Sequence, residues 1–332
     1  MRYASLGRTG LSVSRLAMGT GTFGKQTDEA ESHRILDRVA DAGVTLIDTA
    51  DIYPAGADAD HPLGSSEVIT GRWLANKRAR FILATKGGGP TGPAAWDRGA
   101  SRKHLLDAID ASLRRLGTDY IDLYQLHMDD PATPLDELAE TMDTIVRTGR
   151  ARYIGVSNFL AYRLARAIGR QDALHLARFV SVQPRYNLLF RGIERELLPL
   201  AREESIAVLP YNPLAGGLLT GRYQRAETPT TGRFSQELGA FGAMYRSRYW
   251  NEREFETIAS LQSLAASREL ALPTLAVAWL LANSTITSVI LGASNAGQLA
   301  PTLAAAEVTL DATMTSTLDE ITAQYRDVAT SV

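Results

Sequence analysis

The feature that most constrains this chain is a repeat of pattern, not of letters. From Arg15 onward, eight short apolar runs alternate with longer amphipathic segments, at 15–19, 44–49, 80–85, 120–126, 152–156, 179–183, 206–210 and 287–291. Most run starts lie about 27–40 residues apart, the length of one strand–helix unit. Parallel strands joined by crossover helices are buried on both faces. Eight such units match a closed α/β barrel, so the expected fold is a (β/α)8 TIM barrel. Residues 2–15 read as a β-hairpin ahead of it, turning at Arg8-Thr9-Gly10. The interval from Ile206 to Thr287 is far longer than the rest. It carries a Gly/Pro/Thr-rich stretch over 213–247, then two extra C-terminal helices at roughly 252–270 and 273–283. A long loop in a compact fold is usually functional. This one leaves a strand end and is expected to hang over the active face. A barrel of roughly 250 residues with such insertions accounts for the whole length, so a single domain, 1–332, is expected.

The helices announce their ends. Asp28 can cap one whose inward face is Ile35, Leu36, Val39 and Ala40, with Gly43 at its close. Ser101 can cap another, with Leu105, Leu106, Ile109, Leu113 and Leu116 on one face and Gly117 after it. Thr133-Pro134 opens a third, since proline suits the first helical position. Its stripe is Leu135, Leu138, Met142, Ile145 and Val146, and Gly149 closes it.

Composition removes several classes of function. The chain is 45% hydrophobic with net charge -2, which leaves no charge bias toward nucleic acid. Without cysteine there is no disulfide, thiol catalysis or cysteine-bound zinc. No metal site is expected. Met1–Gly7 lacks the apolar core of a signal peptide, and no run approaches the ~20 apolar residues of a membrane span. A soluble cytoplasmic protein with no membrane partner is expected. The sequence is silent on oligomeric state.

Three of the apolar runs lead into polar reactive groups. Leu46-Ile47 leads into Asp48, with Tyr53 five residues on; Phe81–Thr85 ends on Lys86; Tyr120–Leu126 ends on His127. In a parallel barrel these ends meet on one face, where active sites are built. Each residue alone is ordinary. Together they form a proton-transfer site. A phenol titrates near 10, and a neighbouring ammonium lowers that value. An acid beside the lysine keeps it charged and placed, and a histidine orients a carbonyl oxygen next to the phenol. The set contains no reductant, so a hydride carrier is implied. Gly19-Thr20-Gly21-Thr22-Phe23-Gly24 matches a dinucleotide fingerprint, but the helix signals begin only near Asp28, whereas a Rossmann helix opens on the glycines. It reads as a tight turn. Gly87-Gly88-Gly89 lacks the Lys-Ser/Thr pair of a P-loop.

Ordered motifs along nearly the whole chain carry a resemblance. They are Asp48–Tyr53 (DTADIY), Ala84-Thr85-Lys86, Leu126-His127, Gly155-Val156-Ser157-Asn158, Gln183–Asn187 (QPRYN), Tyr211–Leu214 with Gly217–Gly221, and Gly292–Asn295. With these the chain resembles the aldo-keto reductase family, in the branch that also contains potassium-channel β-subunits and many bacterial oxidoreductases. The resemblance implies NADPH or NADP+ lying across the C-terminal face of the barrel and a small carbonyl substrate. It makes Tyr53 the proton donor, Lys86 and Asp48 its tuning pair, and His127 the carbonyl-orienting group. Ser157, Asn158 and Gln183 would hold the carboxamide, and Tyr211 would stack on the nicotinamide. Asn212, Pro213, Leu214 and Gly216 would hold the pyrophosphate, with Gly19, Thr20 and Gly292 lining the path. Arg222, Arg233, Ser294 and Gln298 fall where relatives meet the 2′-phosphate and adenine. Phe23, Trp96, Tyr245 and Trp250 are candidates for the substrate pocket. Asn212 stands where relatives carry serine, and Pro301-Thr302 where they carry a Glu-Asn pair. His127, asparagine in the channel subunits, favours turnover. The alternative expectation is a regulatory module that senses NADP(H). Pro301 would interrupt a helix begun at Ser294, so a short turn over 295–299 and a new helix opening near Pro301 are expected.

Overall fold

The computed structural model describes residues 1–227 and 229–327. Strands β1 (Tyr3–Ser5) and β2 (Ser12–Ser14) form the antiparallel hairpin, with Tyr3 opposite Ser14. Eight parallel strands follow: β3 (Leu16–Gly19), β4 (Leu46–Asp48), β5 (Ile82–Gly87), β6 (Ile121–Leu126), β7 (Ala151–Ser157), β8 (Phe179–Gln183), β9 (Ala207–Val208) and β10 (Val289–Leu291). From β3 to β9 each pairs with the next in sequence, and β10 pairs with β3. The ring closes where the Thr287 and Ser288 amides donate to Val208 and the Ile290 amide donates to Pro210. The (β/α)8 barrel expected from the apolar runs is therefore what the chain forms.

Two apolar cores result. Between sheet and helices, side chains such as Leu16, Ile47, Leu83, Leu126 and Val156 meet the stripes of α1 (Glu29–Asp41), α2 (Ser65–Leu74), α3 (Arg102–Leu116), α4 (Leu135–Arg147), α5 (Ala161–Ala173) and α6 (Leu197–Glu203). Inside the ring, Ala17, Leu46, Ala84, Leu123, Val180 and Ile290 pack together. The hairpin adds Leu6 and Val13 to this inner core, so it plugs the N-terminal end of the barrel. The C-terminal end is left to polar groups.

Most helix signals act as read. Asp28 accepts from the Glu31 amide at 2.8 Å, and Ser101 caps α3 through the His104 amide at 3.3 Å. Pro134 takes the cap position itself, and Thr133 instead donates its hydroxyl to Asp130. The long interval is not all loop. Within it lie a 3-10 segment at Ala215–Thr220 and helix α7 (Gly239–Tyr249). Then come α8 (Glu252–Ala266) and α9 (Leu272–Ala282). The α7 sequence was masked by its glycines, which lower helix propensity; its Tyr245 and Tyr249 are buried. Near the C-terminus a 3-10 turn at Ala296–Gln298 leads into α10 (Leu299–Ala304), with Asn295 rather than Ser294 as the cap. Pro301 is the third residue of α10, within the first turn, where backbone amides have no intrahelical acceptor to lose. A long helix from 295 is thus avoided, as its proline required. Finally α11 (Ala312–Ile321) precedes a segment tied to the barrel by Arg191, which donates to Thr322 at 2.6 Å. Among the described residues no helix is long and apolar enough to cross a membrane.

Candidate active site

The C-terminal ends of β4, β5, β6, β7 and β8 deliver one polar group each to the mouth of the barrel. Register does the placing: Asp48 lies opposite Gly19 and Ala84, Lys86 opposite Gln125, and Ser157 opposite Gln183. Lys86 is fully buried and donates to Asp48 Oδ2 at 2.6 Å and to the Thr49 carbonyl at 2.8 Å. The other Asp48 oxygen accepts from Gln183 at 2.9 Å and from Gln125 at 3.3 Å. Burial alone would depress the Lys86 ammonium. Asp48 and Tyr53 outweigh it and hold the group above its ordinary value.

Tyr53 reaches the same point from the loop after β4. Its ring centre lies 5.0 Å from Lys86 Nζ and 5.8 Å from the His127 ring, which it meets edge-on at 84°. Burial raises the Tyr53 phenol, and Lys86 and Arg233 pull against that without overcoming it. The lowered phenol expected from lysine alone is therefore not what the site produces: desolvation wins over the neighbouring ammonium. His127 is pushed down to about 3, by burial first and by Lys86 second, so its imidazole is neutral. Its amide is fixed to the Gly87 carbonyl at 2.8 Å, while Nδ1 has no partner among the described residues.

Beside this centre, Ser157, Asn158 and Tyr211 form a connected platform. Ser157 Oγ donates to the Gln183 carbonyl at 2.8 Å, and Asn158 Nδ2 donates to the His127 carbonyl at 3.0 Å. The Tyr211 hydroxyl donates to Asn158 Oδ1 at 2.9 Å. Farther out, Asn212 Oδ1 accepts from the Gly216 amide at 2.6 Å, and its Nδ2 donates to the Tyr249 hydroxyl at 3.0 Å. Asn212 thus fastens the turn containing Pro213, Leu214 and Gly216 to α7. Gly216 and Gly217 both have left-handed φ, 72° and 99°, which glycine adopts without strain. Thr20 is fully buried beside Gly19, and Gly292 is exposed at the end of β10.

The remaining expected residues fall in different places. Arg222 is exposed, stacked on Tyr223. Arg233 stands at the mouth: a Cβ on Gly21 would lie 3.6 Å from both its Nη2 and the Tyr53 ring. Ser294 and Gln298 satisfy each other, the Ser294 amide donating to Gln298 Oε1 at 3.0 Å. Phe23 is fully buried in the outer core, and Trp96 is 59% exposed. Tyr245 packs against Phe234, Phe241 and Tyr249, and Trp250 against Tyr223, Phe234 and Phe255. Of these four substrate-pocket candidates Trp96 is exposed, Trp250 is half-buried, and Phe23 and Tyr245 are buried. Gln125 is the member that sequence reasoning missed; its register opposite Lys86, with Asp48 on the far side, was the available signal.

A parallel eight-stranded barrel whose mouth gathers a phenol, a buried ammonium–carboxylate pair and a neutral imidazole defines an oxidoreductase of carbonyl groups. Consistent with that class, the model of the aldo/keto reductase family matches residues 15–323, and the chain belongs to this family. It is 37% identical to the uncharacterized oxidoreductase YrpG of Bacillus subtilis, over 97% of this chain and 96% of that one. It is 35% identical to a probable voltage-gated potassium channel subunit beta of Arabidopsis thaliana, over 93% and 92% of the two chains. With an L-glyceraldehyde 3-phosphate reductase of Escherichia coli it shares 32% identity, over 90% and 86%.

Proposed function

We propose that this protein reduces aldehydes or ketones to alcohols at the expense of NADPH, with Tyr53 as the proton donor. The observation that carries the reading is the fully buried Lys86–Asp48 pair beneath the Tyr53 ring, with His127 facing the same ring. The mouth fits the cofactor. Arg222 and Arg233 have no carboxylate partner among the described residues, which suits an anionic dinucleotide. When bound, the cofactor supplies the hydride. The chain does the rest. Lys86, kept charged by Asp48, stabilises the phenolate that Tyr53 becomes on giving up its proton. Neutral His127 offers a ring N–H to the carbonyl oxygen and so orients it toward the Tyr53 hydroxyl. Ser157, Asn158 and Gln183 would hold the carboxamide, and Tyr211 would lie against the nicotinamide ring. Arg222 would take the 2′-phosphate, and Arg233, beside Tyr53 and Gly21, would offer the dinucleotide a second cation. The same residues run the oxidation of an alcohol in reverse.

The test is NADPH oxidation followed by absorbance over a panel of aldehydes and ketones. Tyr53→Phe keeps the ring and removes the proton; it is expected to abolish turnover while NADPH still binds. Retention of most of kcat would remove Tyr53 from this role. The likeness to a channel β-subunit supports a second reading, a module that holds NADP(H) and regulates a partner. Steady-state turnover of the wild type on any member of the panel decides against it. Arg222→Ala is expected to lose about 1.5–3 kcal/mol of NADPH binding, with NADH little changed. Equal wild-type affinity for the two cofactors would overturn the preference.

A further inference from the structure

Three arginines in this chain are less than a tenth exposed: Arg163 at 8%, Arg191 at 2% and Arg185 at 8%. Two are paired as burial demands. Arg163 forks onto Asp129 at 2.8 and 2.9 Å. Arg191 forks onto Glu194 at 2.7 and 2.9 Å and also meets Asp319 at 2.8 Å. Arg185 is the exception. Its guanidinium stacks 3.6 Å from the Phe190 ring centre, but it has no hydrogen-bond acceptor and no carboxylate partner among the described residues. The side chain is enclosed by protein, yet its nitrogens are not among the sealed, unpartnered polar atoms, so the charge is open to a ligand of opposite sign.

Arg185 lines a cavity of about 360 Å³, a volume typical of small-molecule sites. The cavity lies between the start of α5, the segment after β8 and Arg248 of α7. Four guanidinium groups line it, those of Arg185, Arg195, Arg248 and Arg326, against the two carboxylates of Glu196 and Asp327. Only Arg326 is committed elsewhere, to Glu194 and Asp319. The rest of the wall is largely apolar, with Phe159, Leu160, Phe190 and Ile193. Tyr53, Lys86 and His127 take no part in it. Its boundary with the catalytic mouth is Tyr211 and Asn158.

We propose that this cavity binds an organic anion, a carboxylate or phosphate group on Arg185 with Arg248 beside it and an apolar body against Phe159, Phe190 and Ile193. The planar fork of arginine pairs bidentately with either head group. The site stands apart from the proposed carbonyl chemistry and does not depend on it.

The test is calorimetric titration of the full-length protein with octanoate, octyl phosphate, octanamide and inorganic phosphate, with and without saturating NADP+. Octanoate, octyl phosphate or both are expected to bind, and whichever binds more tightly identifies the head group. Octanamide and inorganic phosphate are expected to bind at least about tenfold more weakly, and so is the better anion to Arg185→Met, which keeps the stacked stem and loses the charge. Arg248→Gln, at the second cation of the proposed site, is expected to weaken binding several-fold and serves if Arg185→Met does not fold. Binding is expected to persist in NADP+. The proposal is overturned if neither anion binds, if octanamide or inorganic phosphate binds as tightly, or if NADP+ abolishes binding. Unchanged affinity in Arg185→Met overturns it too, as does unchanged affinity in Arg248→Gln where Arg185→Met does not fold. A protein that binds octanoate but fails to oxidise NADPH would leave the cavity assigned and the carbonyl reading broken.

Discussion

Asp48 and Asp51 are three residues apart, both almost wholly buried, and chemically opposite. Asp48 faces the barrel mouth and has every oxygen engaged, by Lys86 on one side and Gln125 and Gln183 on the other. Asp51 faces the layer of α2 and α3. Neither of its oxygens has a partner among the described residues. Its neighbour Glu67 takes the local cations instead, accepting from Arg115 at 2.7 Å and from Thr85 at 2.6 Å. Burial first, and Glu67 second, push the Asp51 carboxyl well above its usual range. The Tyr124 hydroxyl is likewise buried without a partner, and burial and Asp51 push it up as well. The lesson is that depth does not set the charge of an acid; the partner does. Around Asp48 the chain has built an ion pair that serves a reaction. Around Asp51 it holds a carboxyl that burial and Glu67 push toward the protonated form, packed between sheet and helices.

The comparison breaks most sharply at Lys86. Lys86→Met leaves Asp48 buried without its counter-charge, and unfolding in denaturant is expected to show a loss of about 3–5 kcal/mol along with all carbonyl turnover. A variant as stable as the wild type would show that Gln125 and Gln183 suffice for Asp48.

Asp51→Asn is expected to do the reverse, with the sign set by pH. A carboxyl raised in the folded state favours folding at low pH and loses that contribution as pH climbs past its unfolded value of about 4. Asparagine cannot titrate. The melting temperature of Asp51→Asn relative to wild type is therefore expected to rise with pH, with turnover nearly unchanged. A difference flat in pH would mean that Asp51 is ionised in the fold.

At neutral pH, where the imidazole is neutral in both states, the smallest effect on stability is expected at His127. Its folded value of about 3 lies below the unfolded value of about 6.5, so its contribution to stability is lost as pH falls between those limits. His127→Asn removes this slope, so its melting temperature relative to wild type is expected to rise as pH falls from about 6.5 toward 3. A parallel pair of curves would place a protonated imidazole at the mouth.

Much of this was legible before any coordinates. The eight apolar runs coincide with the eight barrel strands because a strand buried on both faces must be apolar throughout. Asp48, Lys86 and His127 could be placed together because parallel strands bring all their C-terminal ends to one face. The disruption at Pro301 followed from a missing amide and a ring clash.

What the sequence left open depends on direction and register. Asp48 and Asp51 share one motif and one residue type. Only the curl of the β4 loop sends one toward Lys86 and the other toward Glu67. Gln125 reads as an ordinary strand residue until β5 and β6 pair with it opposite Lys86. Arg233 lies far from Tyr53 in sequence, and only the folding back of the long segment after β9 sets the two side by side. Arg185 sits in a motif that signals a cofactor, and nothing in that string says that it lines a cavity with no carboxylate partner among the described residues. Periodicity fixes which residues turn inward, because it is a property of each strand by itself. Pairing and desolvation belong to residues far apart in sequence, and so they were decided only when the barrel closed.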